Sequence, residues 1–569
     1  MVPMAYRIVT AHAHRKDAPL VLPSIPLLTG YAPHRRAPLL RSPPFPWVAR
    51  HVAAVSRGTM AAGTVRDMPG PAARDELFAA IRAARVGGAF WLPPVTGRPR
   101  IILAPRHRAQ ARAMDAALGR RAAGEGHVLQ RTRDPWSSLA TAELVMADAD
   151  DEIAALALIA GVPVRLFGQG RFGDAAQGAC PDAVLRHLCL DTLYRDPFTD
   201  RPATASDAVL LLAFWRTGID ANRPIAAATG MAWWKRRAIR QFLWAPRHRP
   251  LRFVSAIGKG ADAIAAWPSR TDERSVSTAR AAGRHVALVE DGFLRSNGLG
   301  SALHRPWSIT LDWQAAHFDA SHPSDLEHLL ATAHFDPATR ARAAALRQAI
   351  VACGIGKYGV DPGDASDASV GRSHRRVLAI GQVRNDVSVR LGGCGLDEPI
   401  DLLRAVRRCE PDAEIWYRPH PDVEAGFRDG AIPDALALNH VDRVVRGGSL
   451  RSLMAGVDAV HVVTSLAGFE ALLVGREVVA HGLPFYAGWS LTRDMVPHPR
   501  RKRCLSLDEL IAGALILYPR YLDPHTQLPC GPEILVSRLA GTKPVHNPTT
   551  WLRNLQGHII RSRYKIPER

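Results

Sequence analysis

Residues 459–489 read AVHVVTSLAGFEALLVGREVVAHGLPFYAGW. An apolar run, AVHVVTS (459–465), reads as a strand that ends on Thr464 and Ser465. A helical stretch follows, and EVVAHGL (477–483) reads as the next strand. A short strand, a helix and a second short strand describe one unit of a buried parallel sheet.

Working outward, the same alternation runs from 251 to about 545. Further strands are predicted at 252–258, 284–290, 375–381 and 413–419, with amphipathic helices between them. Two such sheets predict two Rossmann-type lobes facing a cleft, with 251–395 as the first lobe and 396–545 as the second. Upstream, strands are predicted at 99–105, 142–148 and 162–168, with a helix at 151–161. This region repeats the C-terminal unit: VMADADDEIAALALIAGVPVRLFGQGRF (145–172) parallels 460–486, and YRDPFTDRP (194–202) parallels YLDPHTQLP (521–529). The fold class is therefore α/β, with residues 61–215 forming a partial, degenerate α/β repeat. Residues 216–250, rich in Trp, Arg and Lys, read as a helical connector packed through aromatic side chains. Residues 1–60 hold one acid, Asp17, and read as a disordered basic tail; 546–569 read as a basic C-terminal tail.

The chain has 569 residues, 47% hydrophobic and 22% charged, which excludes a disordered or fibrous protein. Its seven cysteines include no CxxC pair, which argues against a disulfide scaffold or zinc ribbon and for a reducing compartment. No apolar run reaches the roughly 18 residues that span a bilayer, and no secretory leader is evident. The formal net charge is +20, from 73 Lys+Arg against 53 Asp+Glu. Such a surface attracts anions of any kind, so nucleic acid, anionic lipid and acidic sugar all fit the charge. A nucleic-acid reading rests on charge alone, without a recognition module, and is set aside.

Five elements carry polar residues at strand ends. Thr464 and Ser465 precede a helix that Ser465 can cap. In WYRPHPDV (416–423), Pro421 holds His420 extended, and Arg418 and His420 can donate to a phosphate. In AIGQVRNDVSV (379–389), Asp386 stands among Gln382, Arg384, Asn385 and Ser388; a capping role for it is equally consistent. LVEDGFLRSNGLG (288–300) closes on Glu290 and Asp291 but is not a dinucleotide GxGxxG. GLPFYAGWSLTRD (482–494) is an aromatic, glycine-rich loop, either packed inside or a wall against a ring.

EDGFLRS, GQVxxDxS, RPHPDV, TSLAGFEALL and GLPFYAGW occur in one order. In that order they resemble the KpsC/LipB family of capsule polysaccharide proteins, over about 250–545. The family comprises retaining β-Kdo transferases that use CMP-Kdo, usually as two modules in tandem. The resemblance implies a GT-B-like pair of Rossmann-type lobes. Residues 61–215 resemble only the tail of the first module; they lack EDGF and GQVxxD and show DADDEIAALA (148–157) at the capped helix. That half is read as non-catalytic. Two departures stand in the C-terminal unit: Ser490 where the family tends to have glycine, and HFDAS (317–321).

The resemblance implies roles. Asp386 is the nucleophile, kept ionised by Arg384, and Glu290 acts on the acceptor hydroxyl. Arg418, His420 and Pro421 hold the CMP phosphate together with Thr464, Ser465 and Gln382. Glu470 meets the ribose or base, and Arg295, with Arg384 and Asp291, faces the Kdo carboxylate or the acceptor. It implies no cofactor and no metal. The implied partners are CMP-Kdo, a Kdo-terminated glycerophospholipid acceptor, the inner face of the cytoplasmic membrane and other capsule assembly proteins, with no nucleic acid. The alternative is a non-catalytic assembly component that binds lipid-linked glycan; intact Asp386, Glu290 and His420 favour the enzyme.

Overall fold

The computed structural model describes residues 37–47, 68–119, 126–247, 250–258, 260, 262–296, 304–356, 359–360 and 374–541. The described residues form three larger sheets alongside three small antiparallel ones. The N-terminal sheet runs in the order Gly126–Val128, Ile101–Ala104, Leu144–Asp148, Val164–Phe167, all parallel. The helix Glu152–Ala160 is buried on nearly every side, so it reads as apolar rather than amphipathic.

The second sheet has seven strands, in the order Arg252–Val254, Ile225–Thr229, Ala263–Ala266, Val286–Asp291, Ser308–Asp312, Arg520–Leu522, Pro529–Cys530. Its first four are parallel and the rest antiparallel. The third is wholly parallel, in the order Arg443–Val444, Glu414–Arg418, Arg376–Ile380, Ala459–Val462, Glu477–Ala480, Arg493–Asp494.

Three predicted boundaries differ from these sheets. Ile225–Thr229 lies in the stretch read as a helical connector, yet it pairs with strands on both sides. Its sequence, IAAAT, lacks the β-branched run that marks strands, and burial rather than propensity makes it one. Arg376–Ile380 belongs to the third sheet, so the lobe boundary falls before residue 374 rather than at 395. Residues 520–530 return to the second sheet, so 396–545 is not one continuous lobe.

The segment 37–47, read as part of a disordered tail, is packed. Leu39, Leu40, Arg41 and Phe45 are buried. Phe45 meets Trp215 and Trp244 at ring centroid distances of 5.2 and 4.7 Å, and the Trp47 indole donates to the Gln527 carbonyl at 2.7 Å. Averaging composition over 1–60 hid a short apolar strap inside a basic segment. The remainder of that tail, and 546–569, lie outside the described residues.

Candidate active site

The order of the third sheet reverses once. From Arg376–Ile380 the chain steps to Glu414–Arg418 and Arg443–Val444 on one side, then returns to Ala459–Val462 on the other. The carboxyl ends of strands flanking such a reversal form the crevice where open α/β sheets bind ligands. Gln382 and Asp386 follow the central strand, His420 follows the strand on one side, and Thr464 and Ser465 follow the strand on the other. Three motifs read separately in the sequence therefore converge on one edge.

Asp386 caps the short helix Val387–Gly392, its Oδ1 accepting from the Ser388 amide at 3.0 Å and the Ser388 hydroxyl at 2.9 Å. Asn385 holds φ at 59°, the left-handed region that asparagine tolerates, which turns the chain into that cap. The Ser388 and Thr464 hydroxyls lie 3.0 Å apart, across the reversal. The cation beside Asp386 is Arg428, whose Nη2 donates to Oδ2 at 3.3 Å. Arg384 instead pairs with Glu398 at 2.7 Å, so its expected role toward Asp386 falls to Arg428. Sequence proximity pointed to Arg384; Arg428 arrives 42 residues later because its loop docks on the 384–386 turn, with the Arg384 amide donating to the Asp429 carbonyl at 3.0 Å.

His420 caps the helix Pro421–Glu424, with Pro421 at its first position and the Asp422 amide donating to Nδ1 at 3.1 Å. That contact makes Nδ1 the acceptor and places the proton of a neutral ring on Nε2. Gly381 lets this turn approach: a Cβ there would lie 2.8 Å from the Tyr417 hydroxyl and 3.1 Å from the His420 nitrogen. Arg418 does not reach into the crevice as expected. Its guanidinium is bound to the carbonyls of Val445, Gly447 and Gly448, bracing the neighbouring loop. Gln382 is buried at 7% exposure, and neither its amide nitrogen nor its oxygen has a hydrogen-bond partner among the described residues. The Ser465 hydroxyl accepts from the Ala467 amide at 3.3 Å, and its carbonyl accepts from the Tyr486 hydroxyl at 2.5 Å. Glu470 crowds Gly356, where a Cβ would lie 2.8 Å from its carboxylate.

In the second sheet, Glu290 stands opposite Thr310 near the strand end. Asp291 is gripped by Lys235 at 3.0 Å to each oxygen and by Arg295 Nε at 2.8 Å. Burial pushes the Asp291 carboxyl up, but Arg295 and Lys235 outweigh it and bring it down to about 2. Arg295 is 1% exposed and also donates to the Ser296 hydroxyl and the His304 carbonyl, each at 2.8 Å. Arg295 and Asp291 are thus a structural pair and not the substrate-carboxylate contact expected from their motif. Lys235 had no signal in the sequence: it comes from the Trp-rich stretch and lies 3.5 Å from the Trp267 ring centroid.

The loop 482–494 is interior in its aromatic side chains, while Ser490 and Arg493 are exposed. Tyr486 and Trp489 are fully buried, and Phe485 stacks on Phe293 of the EDGF turn at 4.4 Å. It joins the two sheets rather than walling a ligand. Ser490, at the family's glycine position, sits at φ 65°. Among the described residues no group of three His, Cys, Asp or Glu is placed to hold a metal. Nor is any helix long and apolar enough to cross a membrane.

The fold and crevice define an α/β protein with a ligand-binding type of crevice at the strand-order reversal of a parallel sheet. Residues 262–354 and 355–521 match the family model for capsule polysaccharide biosynthesis proteins. The capsule polysaccharide modification protein LipA of Neisseria meningitidis serogroup B is 39% identical over 342 residues, 58% of this chain and 48% of LipA. The lipopolysaccharide-processing protein LpsZ of Rhizobium meliloti is 43% identical over 238 residues, 41% of this chain and 53% of LpsZ. A solved structure, the beta Kdo 2,4 transferase of Thermosulfurimonas dismutans KpsC, is 31% identical and covers 56% of this chain and 98% of that chain, with a TM-score of 0.48. Over residues 262–521 the chain matches the capsule polysaccharide biosynthesis family, and it is KpsC/LipB-like. It spans about half the length of the curated relatives it matches.

Proposed function

We propose that this protein is a retaining β-Kdo glycosyltransferase that uses CMP-Kdo to extend a Kdo-terminated glycerophospholipid primer for capsular polysaccharide, with two lobes paired in the GT-B manner. The observation that carries the proposal is the convergence of Asp386, His420 and Thr464 on the reversal point of one parallel sheet.

In the first step the Asp386 carboxylate attacks the anomeric carbon of Kdo. The bond to the CMP phosphate breaks, and CMP leaves with the bonding electron pair. The Nε2 proton of His420 meets the phosphate oxygen as charge builds on it, and the amides beside Ser465 add donors. Arg428 and the Ser388 hydroxyl hold the Asp386 carboxylate oriented. In the second step an acceptor hydroxyl attacks the same carbon from the face CMP vacated. Its proton passes to Glu290, and the Asp386 oxygen leaves. Two inversions give retention. No step calls for a metal.

The cationic surface suits an anionic lipid-linked acceptor at the inner face of the cytoplasmic membrane. Incubation with CMP-Kdo and a synthetic Kdo-terminated glycolipid tests the proposal: elongated glycolipid and free CMP are expected. A folded protein that yields neither would overturn the donor and acceptor assignment.

A further inference from the structure

The N-terminal sheet also reverses once, between Ile101–Ala104 and Leu144–Asp148. A cavity of about 320 Å³ opens at the carboxyl ends of these strands, lined by Arg106, Arg131, Arg133, Asp148, Asp151 and Glu152 among others. It occupies the position in this half that Asp386 and Thr464 occupy in the other.

Four arginines and four acids line it, and Arg41 of the strap adds a fifth guanidinium behind Glu152. Asp151 caps the helix Glu152–Ala160, accepting from the Ile153 amide at 3.0 Å, and pairs with Arg131 at 2.5 Å. Glu152 takes both amino groups of Arg41 from the strap, at 2.5 and 3.0 Å. Asp148 accepts from Gln110 at 2.8 Å, and Asp150 from the Arg171 amide at 2.9 Å. Every acid is therefore satisfied within the chain. Arg106 and Arg133 have no side-chain partner among the described residues; Arg171 donates from Nη2 to the Asp150 carbonyl at 2.8 Å and pairs with the Asp150 carboxylate at 3.7 Å, which leaves its Nη1 buried without a hydrogen-bond partner. The cavity thus offers surplus guanidinium donors. A phosphate on the helix terminus meets the Asp151 and Glu152 carboxylates, which already fill that anion position. A single sugar carboxylate suits the arginine forks, and its hydroxyls can donate to Asp148 and Asp150.

We propose that this cavity binds one acidic monosaccharide unit of an anionic glycan, so that the N-terminal half holds glycan beside the transferase module. The choice of Kdo as probe rests on the proposed function; the location of the site does not.

Hydrogen–deuterium exchange on the full chain, with and without the methyl glycoside of Kdo, tests it. Exchange in 129–135 and 148–153 is expected to slow by about threefold or more on adding the sugar. The slowing is expected to vanish in the double variant Arg106→Glu/Arg133→Glu, and in Gln130→Trp, which fills the cavity from an exposed position. Peptides over 382–388 report the transferase site separately, so their response does not bear on the cavity. Unchanged exchange at 129–135 and 148–153 in the wild type would overturn the proposal, as would wild-type slowing in both variants. Equal slowing by CMP alone would make the cavity a nucleotide site and overturn it too.

Discussion

The hydroxyls of Ser388 and Thr464 lie 3.0 Å apart, joining the strand ends on either side of the sheet reversal. Ser388 also donates to Asp386, so one hydroxyl couples the carboxylate to the opposite wall of the crevice. Ser388→Ala and Thr464→Val are each expected to lower kcat about tenfold through misplacement of Asp386. The double variant is expected to lose little more than either alone, because both act through one contact. Steady-state kinetics on the four proteins decide this; fully multiplicative losses would separate the residues.

Arg428→Ala is expected to lower kcat by about tenfold or more, with folding stability changed by less than about 0.5 kcal/mol, since the pair with Asp386 is partly exposed. Arg384→Ala breaks only the exposed pair with Glu398 and is expected to keep near-wild-type turnover. Paired activity and melting measurements would show a reversed order if Arg384 were the true partner.

The Lys235–Asp291–Arg295 group makes a stability prediction. Asp291 is held at about 2 in the folded chain, below the ordinary carboxylate value near 4. Its contribution, on the order of 2 kcal/mol, is present above pH 4 and is lost as pH falls from about 4 toward 2. Lys235→Met leaves Asp291 with one cation and is expected to cost about 3 kcal/mol. Urea denaturation at neutral and acid pH measures both; a variant as stable as wild type would show the lysine to be dispensable.

His461 and His481 form a buried pair at 2.9 Å in the third sheet. Burial pushes their imidazoles down to about 3 and about 4. Both stay neutral in the fold while the unfolded chain takes up protons below about 6.5. Stability is therefore expected to fall by several kcal/mol between about pH 6.5 and pH 4. His481→Gln is expected to flatten this slope in thermal melts; an unchanged slope would place the acid sensitivity elsewhere.

The parts of the site legible in the sequence are those set by local chemistry. The Asp386 cap and the His420–Pro421 turn each follow from a few adjacent residues, and the structure forms both caps. At the third helix the N-cap position falls on Leu466, and the Ser465 hydroxyl, one residue before it, accepts from the Ala467 amide. Partners brought by tertiary contact had no local signal. Arg428 reaches Asp386 across 42 residues, so neighbouring Arg384 drew its role instead, and Lys235 reaches Asp291 across 56. The strand Ile225–Thr229 was hidden for a related reason, since an alanine-rich strand shows itself only through the sheet that buries it. The order of the motifs along the chain carried more of the fold than any single motif did.

The most direct test is peptide mass mapping of the protein after incubation with CMP-Kdo in the absence of acceptor. The account predicts a Kdo adduct on the peptide containing Asp386, lost on adding acceptor and never formed by Asp386→Ala. Turnover to product by Asp386→Ala, or an adduct on another residue, would contradict it.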